Sequence, residues 1–195
     1  MFTERLKNYR IVLASGSPRR QQLLEEMGIP FEVRLKPVDE VYPTTLKAAE
    51  IADYLAQLKA TAFKGTLAGN EILITSDTVV WFKNRSYAKA GNEALAFKMI
   101  KTLSGKWHQV ITSVCFTTST DQITKHGITE VKFRKLEDAE IRYYIEHFKP
   151  FDKAGAYGIQ EWLGLIGIEA IRGSYTNVVG FPTHLVYKTL MDMAK

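Results

Sequence analysis

Short apolar runs alternate with amphipathic stretches along this chain, and the alternation predicts an α/β protein. Residues 11–14 (Ile-Val-Leu-Ala) and 71–75 read as short buried strands, and residues 31–35 as a further strand. After Pro18, Leu23, Leu24 and Met27 recur at helical spacing, and Gly28 stops that helix. Residues 45–63 predict a long amphipathic helix with Ala49, Ala52, Leu55 and Ala62 inward. Residues 92–103 and 137–147 predict two more, and a closing helix starts at Thr183. Residues 107–118 and 127–134 alternate as paired strands joined through Thr120 and Asp121. A last strand is expected near residues 164–171. Because strands and helices mix without a strict βαβ repeat, the expected fold class is α/β with a mixed twisted sheet and flanking helices. Residues 1–195 read as one domain, with two lobes around a cleft.

Composition narrows the setting. Hydrophobic residues make up 46% and charged residues 24%, as in ordinary soluble domains. The net charge of +5 raises nucleic acid as a partner, but the lysines and arginines are spread along the chain rather than clustered. That spread argues against nucleic acid and suits a small polyanion equally well. Cys115, the single cysteine, excludes an internal disulfide and reads as a buried reduced thiol in a strand. The first ten residues lack the apolar centre of a leader, and no apolar run has membrane-spanning length. A cytoplasmic address and no membrane association are expected.

The most informative local feature is the helix start Ser17-Pro-Arg-Arg20. Ser17 suits an N-cap and Pro18 the first helical position, yet Arg19 and Arg20 occupy the turn where a helix dipole prefers acids. An anion bound there reverses the sign, and backbone amides with two guanidinium groups suit a phosphate. A solvent-facing arginine pair is the bland alternative. Asp77 is expected just beyond the strand at 71–75, where it could hold a divalent metal, take a proton from water, or simply cap a turn. Glu40, in an acidic loop, offers a second metal-binding oxygen. In the segment 149–160, Gly155 and Gly158 allow close backbone approach, Lys153 can contact phosphate, and Gln160 can read a base edge. The loop 173–182 is similarly polar and punctuated by glycine.

Together these residues resemble the Maf family of nucleoside triphosphate pyrophosphatases. The matching pieces are Leu13-Ala-Ser-Gly-Ser-Pro-Arg-Arg20, Lys59-Ala60, Ser76-Asp-Thr-Val-Val80, Ser104-Gly-Lys-Trp-His-Gln-Val110, Asp152-Lys-Ala-Gly-Ala-Tyr-Gly-Ile-Gln160 and Gly173-Ser-Tyr-Thr-Asn-Val-Val-Gly180. The resemblance implies a fold similar to inosine triphosphate pyrophosphatases, frequently a homodimer. It also implies hydrolysis of a nucleoside triphosphate to monophosphate and pyrophosphate with a divalent cation, Mg²⁺ or Mn²⁺. It makes Asp77 the proton acceptor and places Arg19, Thr78 and Gln160 at positions associated with base choice. The stretch ending at Gln160 resembles the branch acting on dTTP and UTP. Three departures from the family pattern stand out: Ala88-Lys89-Ala90 for Gly-Lys-Pro, Glu161 for a glycine after Gln160, and Ser113 for a glycine.

Residue chemistry and resemblance converge on one expectation. Ser15, Ser17, Arg19 and Arg20 hold the phosphate chain, and Asp77 with Glu40 binds the metal or orients water. Lys59, Lys89 and Lys153 stabilise the leaving pyrophosphate. The alternatives are a pyrophosphatase for purine or modified nucleotides, or a non-catalytic nucleotide- or nucleic-acid-binding regulator of cell division.

Overall fold

The computed structural model describes residues 2–194, and their backbone is organised around one seven-stranded mixed sheet. A short helix, α1 (Phe2–Leu6), precedes β1 (Arg10–Leu13), α2 (Pro18–Glu26), β2 (Phe31–Val33) and α3 (Ala49–Thr61). Then follow β3 (Glu71–Phe82), β4 (Arg85–Tyr87), α4 (Glu93–Leu103), β5 (Trp107–Thr117), β6 (Gln122–Phe133) and α5 (Asp138–Phe148). A 3-10 turn (Pro150–Asp152), α6 (Trp162–Gly167), β7 (Ile168–Arg172), α7 (Tyr175–Val179) and α8 (Thr183–Met193) complete it. Strand order is β2-β1-β3-β5-β6-β7, with β4 beside β3. β1 pairs parallel with β2 and β3, and every other pairing is antiparallel. The expected mixed α/β sheet is what the chain forms.

β3 positions the site. One of its edges pairs continuously with β5, from Leu73 to Trp81. The other edge pairs with β1 only as far as Ile74, and with β4 only from Val80 onward. The chain leaves β1 at Leu13 to enter α2, so residues 75–79 face a gap in the sheet. Alternation along the strand sends Thr75 and Asp77 toward α3, where Thr75 donates to the Ala56 carbonyl at 2.6 Å and Asp77 meets Lys59. Thr78 points to the opposite side, toward Arg20.

Separate apolar clusters flank the gap. Leu13, Leu24, Ile72, Ile74, Phe116, Phe181 and Leu190 pack α2 and α8 against one half of the sheet. Val80, Ile100, Leu103, Phe133, Ile141 and Tyr144 join α4 and α5 over the other. Asn177 pins α7 across β5 and β6: its Nδ2 donates to the Val110 carbonyl and to Thr129 Oγ1, each at 3.0 Å. Ser113 donates to Asp53 of α3 at 2.6 Å, an extra tie from β5 to that helix. Cys115 is a free, fully buried thiol, and burial pushes its pKa up.

Several elements differ from expectation. Asp77 lies inside β3 rather than beyond a strand end, because pairing with Ser113 on β5 carries the strand through Ser76-Asp77-Thr78. The helix expected over 45–63 is shorter, Ala49–Thr61. β6 starts at Gln122, earlier than expected, since the hairpin turn closes directly on Thr117. The strand expected from 164 begins at Ile168, after α6. The loop 173–182 contains α7, whose N-cap Ser174 accepts from the Asn177 N–H. Ser17 holds the N-cap position of α2 but makes no side-chain cap bond; its own N–H donates to Ser15 Oγ at 3.3 Å.

Candidate active site

The gap beside β3 opens into a cleft of about 630 Å³. Ser15, Ser17, Arg19 and Arg20 line it from the β1–α2 turn, and Lys59 enters from the last turn of α3. Asp77 and Thr78 form the floor. Glu40, Lys89, Lys153 and Gln160 arrive on loops. One cavity thus gathers every site residue expected from the sequence.

Its floor is a short ladder of alternating charge. Lys59 Nζ lies 2.5 Å from Asp77 Oδ1 and 3.0 Å from Glu40 Oε1. Glu40 also receives Lys89 at 3.4 Å. Partial burial works against ionisation of Glu40, but Lys59 and Lys89 hold its carboxyl below the usual carboxylate range. Lys89 is kept in place by its backbone pairing with Ala154 and by the neighbouring bond from Gly155 N–H to the Tyr87 carbonyl, 2.8 Å. Two carboxylates already converging on one cation are a fitting pair for a divalent ion, which commonly takes one or two protein carboxylates and fills its shell with phosphate and water. Among the described residues no group of three or more His, Cys, Asp or Glu gathers as a metal site.

Arg20 turns inward. Its Nη1 donates to the Ser76 carbonyl at 2.8 Å and to Ser15 Oγ at 3.3 Å. Nε donates to the Gly180 carbonyl at 2.9 Å, and Nη2 to Thr78 Oγ1 at 3.3 Å. Burial lowers its pKa, with Asp77 opposing. Gly180 closes α7 at φ 110°, and a Cβ there would fall 3.3 Å from Thr78 Oγ1, so glycine permits this approach. Thr78 Oγ1 also lies 3.0 Å from Thr112 Oγ1, which fixes the hydroxyl beneath the cleft.

The facing wall is a second charge ladder, which adds Asp152, a residue given no role by sequence reasoning, to Arg19, Lys153 and Glu161. Arg19 Nη1 donates to Asp152 Oδ2 at 3.3 Å, a contact across the cleft. Asp152 Oδ1 accepts from Lys153 Nζ at 2.8 Å, and Lys153 also reaches Glu161 Oε1 at 3.0 Å. Only 9% of the Lys153 side chain is exposed, whereas Gln160 is exposed to the cleft. The signal for Asp152 was present: an acid directly before Lys153 in a segment already singled out. Tyr157 lines the same wall, and its hydroxyl sits 2.7 Å from Nε2 of the buried His108.

Comparison with known proteins places this geometry. A family model described as Maf-like protein matches residues 10–193. A Flavobacterium johnsoniae protein called dTTP/UTP pyrophosphatase is 55% identical, over 99% of this chain and 100% of that one. Its namesake from Christiangramia forsetii is 54% identical over 99% and 98%, and that from Phocaeicola vulgatus 50% over 97% and 99%. Among solved structures, the Staphylococcus aureus Ham1 protein superposes with a TM-score of 0.54 at 16% identity, covering 94% of this chain and 99% of that one, a likeness of fold. With nearly its whole length matched, and with the family's segments meeting in one cleft, the chain belongs to the Maf family.

Proposed function

We propose that this protein hydrolyses nucleoside triphosphates, dTTP and UTP in preference, to the monophosphate and pyrophosphate. One observation carries the reading: Asp77 and Glu40 meet at Lys59 in a cleft that also presents Arg19, Lys89 and Gln160. Full-length relatives of 50–55% identity bear the name dTTP/UTP pyrophosphatase.

Arg19, Lys89, Ser15 and Ser17 grip the phosphate chain at the start of α2, where free backbone amides and the helix dipole favour an anion. Arg20, engaged with protein groups, supplies fixed positive charge behind them, whereas Lys153, expected at the leaving pyrophosphate, is neutralised by Asp152 and Glu161. Asp77 accepts the proton of a water that attacks the α-phosphorus. The bond from that phosphorus to the bridging oxygen breaks, and pyrophosphate leaves with the electron pair. Lys59, already within 2.5 Å of Asp77, stabilises the charge that develops. Asp77 and Glu40 would hold a Mg²⁺ or Mn²⁺ ion. When bound, such an ion neutralises phosphate charge and makes water a better nucleophile. Gln160 and Thr78 read the pyrimidine edge, and a base that leaves their polar groups unpaired is rejected.

Incubating the purified protein and Asp77→Asn with dTTP, UTP, dCTP, GTP, ITP and 7-methyl-GTP, with Mg²⁺ or Mn²⁺, tests this by the pyrophosphate released. Turnover of dTTP and UTP that vanishes in the variant is expected. Release from GTP, ITP or 7-methyl-GTP instead would replace the pyrimidine reading. No release from any triphosphate would end the catalytic one.

A further inference from the structure

Glu161 follows Gln160 directly, so its carboxylate is one residue from the group that faces the base. Turned into the cleft, it would repel a polyanionic substrate. Instead it points into the wall. Oε2 accepts a short hydrogen bond from the hydroxyl of Tyr144, a fully buried side chain on α5. Oε1 takes Lys153 Nζ at 3.0 Å. The Tyr144 hydroxyl in turn accepts from the Gly158 N–H at 3.0 Å, and the Glu161 N–H donates to the Gly158 carbonyl at 3.1 Å. The turn 158–161 is therefore held at both backbone groups of Gly158.

The packing is as tight as the bonding. A Cβ added at Gly158 would fall 2.8 Å from Glu161 Cδ and 3.0 Å from Gln160 Nε2. The carboxyl group and the Gln160 amide thus share the backbone surface of one glycine. Burial, and next the bond to Glu161, push the Tyr144 hydroxyl upward, so it stays protonated and keeps donating. From Glu161 the bonds continue through Lys153 and Asp152 to Arg19 on the opposite wall. Arg19, Lys153, Asp152 and Glu161 together sum to zero charge, so the charge of Lys153 is spent within the wall.

We propose that Glu161 is a positioning residue that fixes the turn carrying Gln160, through Tyr144 and Lys153, and thereby sets base selectivity. This rests on the reading of the cleft as a nucleotide site. Glu161 touches no substrate: it decides where the Gln160 amide stands and joins that position to the arginine on the phosphate side.

The test uses Glu161→Gln, Tyr144→Phe and the double variant. Amide exchange of Gly158 is followed by NMR, and kcat and KM are measured for dTTP, UTP and dCTP. In Glu161→Gln, Gly158 keeps its acceptor, yet its exchange is expected to quicken by about tenfold, the factor that a lost charge-assisted hydrogen bond carries. The preference for dTTP over dCTP is expected to fall by about the same factor, through KM for dTTP rather than kcat. The double variant should lose no more selectivity than either single one, as members of one network do. Unchanged exchange, or an equal loss of kcat/KM for all three nucleotides, would overturn the proposal. A wild-type protein that releases pyrophosphate from no triphosphate defeats the reading of the cleft and the selectivity role with it. Gly158 exchange then still decides whether Glu161 holds the turn.

Discussion

The ammonium of Lys59 stands 2.5 Å from Oδ1 of Asp77, reaching down from the last turn of α3 to the middle of β3. It is also the group that keeps Asp77 and Glu40 from facing each other as bare carboxylates. Lys59→Met should lower kcat by about 100-fold or more, the scale of losing one stabilising group at a developing charge. Without Lys59, and with only Lys89 left to oppose burial, the Glu40 carboxyl rises toward its ordinary range, so the acid limb of the pH–rate profile should move to higher pH. An unmoved limb with a lowered kcat would assign Lys59 to the leaving group alone.

Arg20 spans two backbone carbonyls and two hydroxyls with one planar fork. An ammonium is a point donor and cannot match that fork. Arg20→Lys should cost about 2 kcal/mol through acceptors left unpaired, or a fall in Tm of roughly 4–8 °C for a chain of this size. Differential scanning calorimetry checks it. Arg19→Lys, at a half-buried side chain with one carboxylate partner, should leave Tm nearly unchanged.

A Cβ at Gly164 would sit 1.8 Å from the Ile159 carbonyl oxygen, a backbone atom that cannot swing aside. Gly164→Ala should therefore cost about 3 kcal/mol, the upper part of the overpacking range. It should also disturb Gln160, which is bonded to Ile159. At Gly167 the nearest obstacle is Leu136 Cδ2, a side-chain end, at 3.1 Å. Gly167→Ala should cost less than about 1 kcal/mol. Urea denaturation of the two variants separates these cases.

His108 supplies a pH dependence. Burial lowers its pKa from 6.5 to about 4. The unfolded chain takes up that proton near 6.5 and the folded protein only near 4, so acid favours unfolding across this interval. The contribution is full above 6.5 and fades as pH falls to 4, with a slope of about 1.4 kcal/mol per pH unit. Urea midpoints from pH 8 down to pH 4 should show the slope, and His108→Gln should flatten it. A variant as steep as the parent protein would assign the acid sensitivity elsewhere.

Much of this molecule is legible in its sequence because its strongest signals are local. The strand of residues 11–14, the proline-started helix and the misplaced arginine pair all follow from neighbours in the chain. The ladder from Asp77 to Lys89 is different: it joins four segments, and resemblance rather than spacing singles out Lys59 and Lys89. Ser76-Asp77-Thr78 carries turn chemistry, yet β5 holds it as strand through pairing that no local window contains. α6 hides in a glycine-rich stretch because Gly164 serves contact with Ile159, not flexibility. Arg20 offers no sign of turning inward, since its two carbonyl acceptors lie 56 and 160 residues away. For Glu161 the sequence shows only added negative charge; Tyr144 and Lys153 decide where that charge goes.

The interrupted edge of β3 bears on the colloidal behaviour of the protein. Unsatisfied backbone groups in the middle of a strand are a template on which an extended segment of another chain can dock and seed aggregates. Many proteins blunt such an edge with proline or a bulge, but neither would leave room for a substrate. Here Arg20, and more distantly Lys59 at 3.4 Å, occupy the Ser76 carbonyl from the side. Two cationic side chains thus shield an edge that has to stay open, and a foreign strand can pair there only by displacing buried charge.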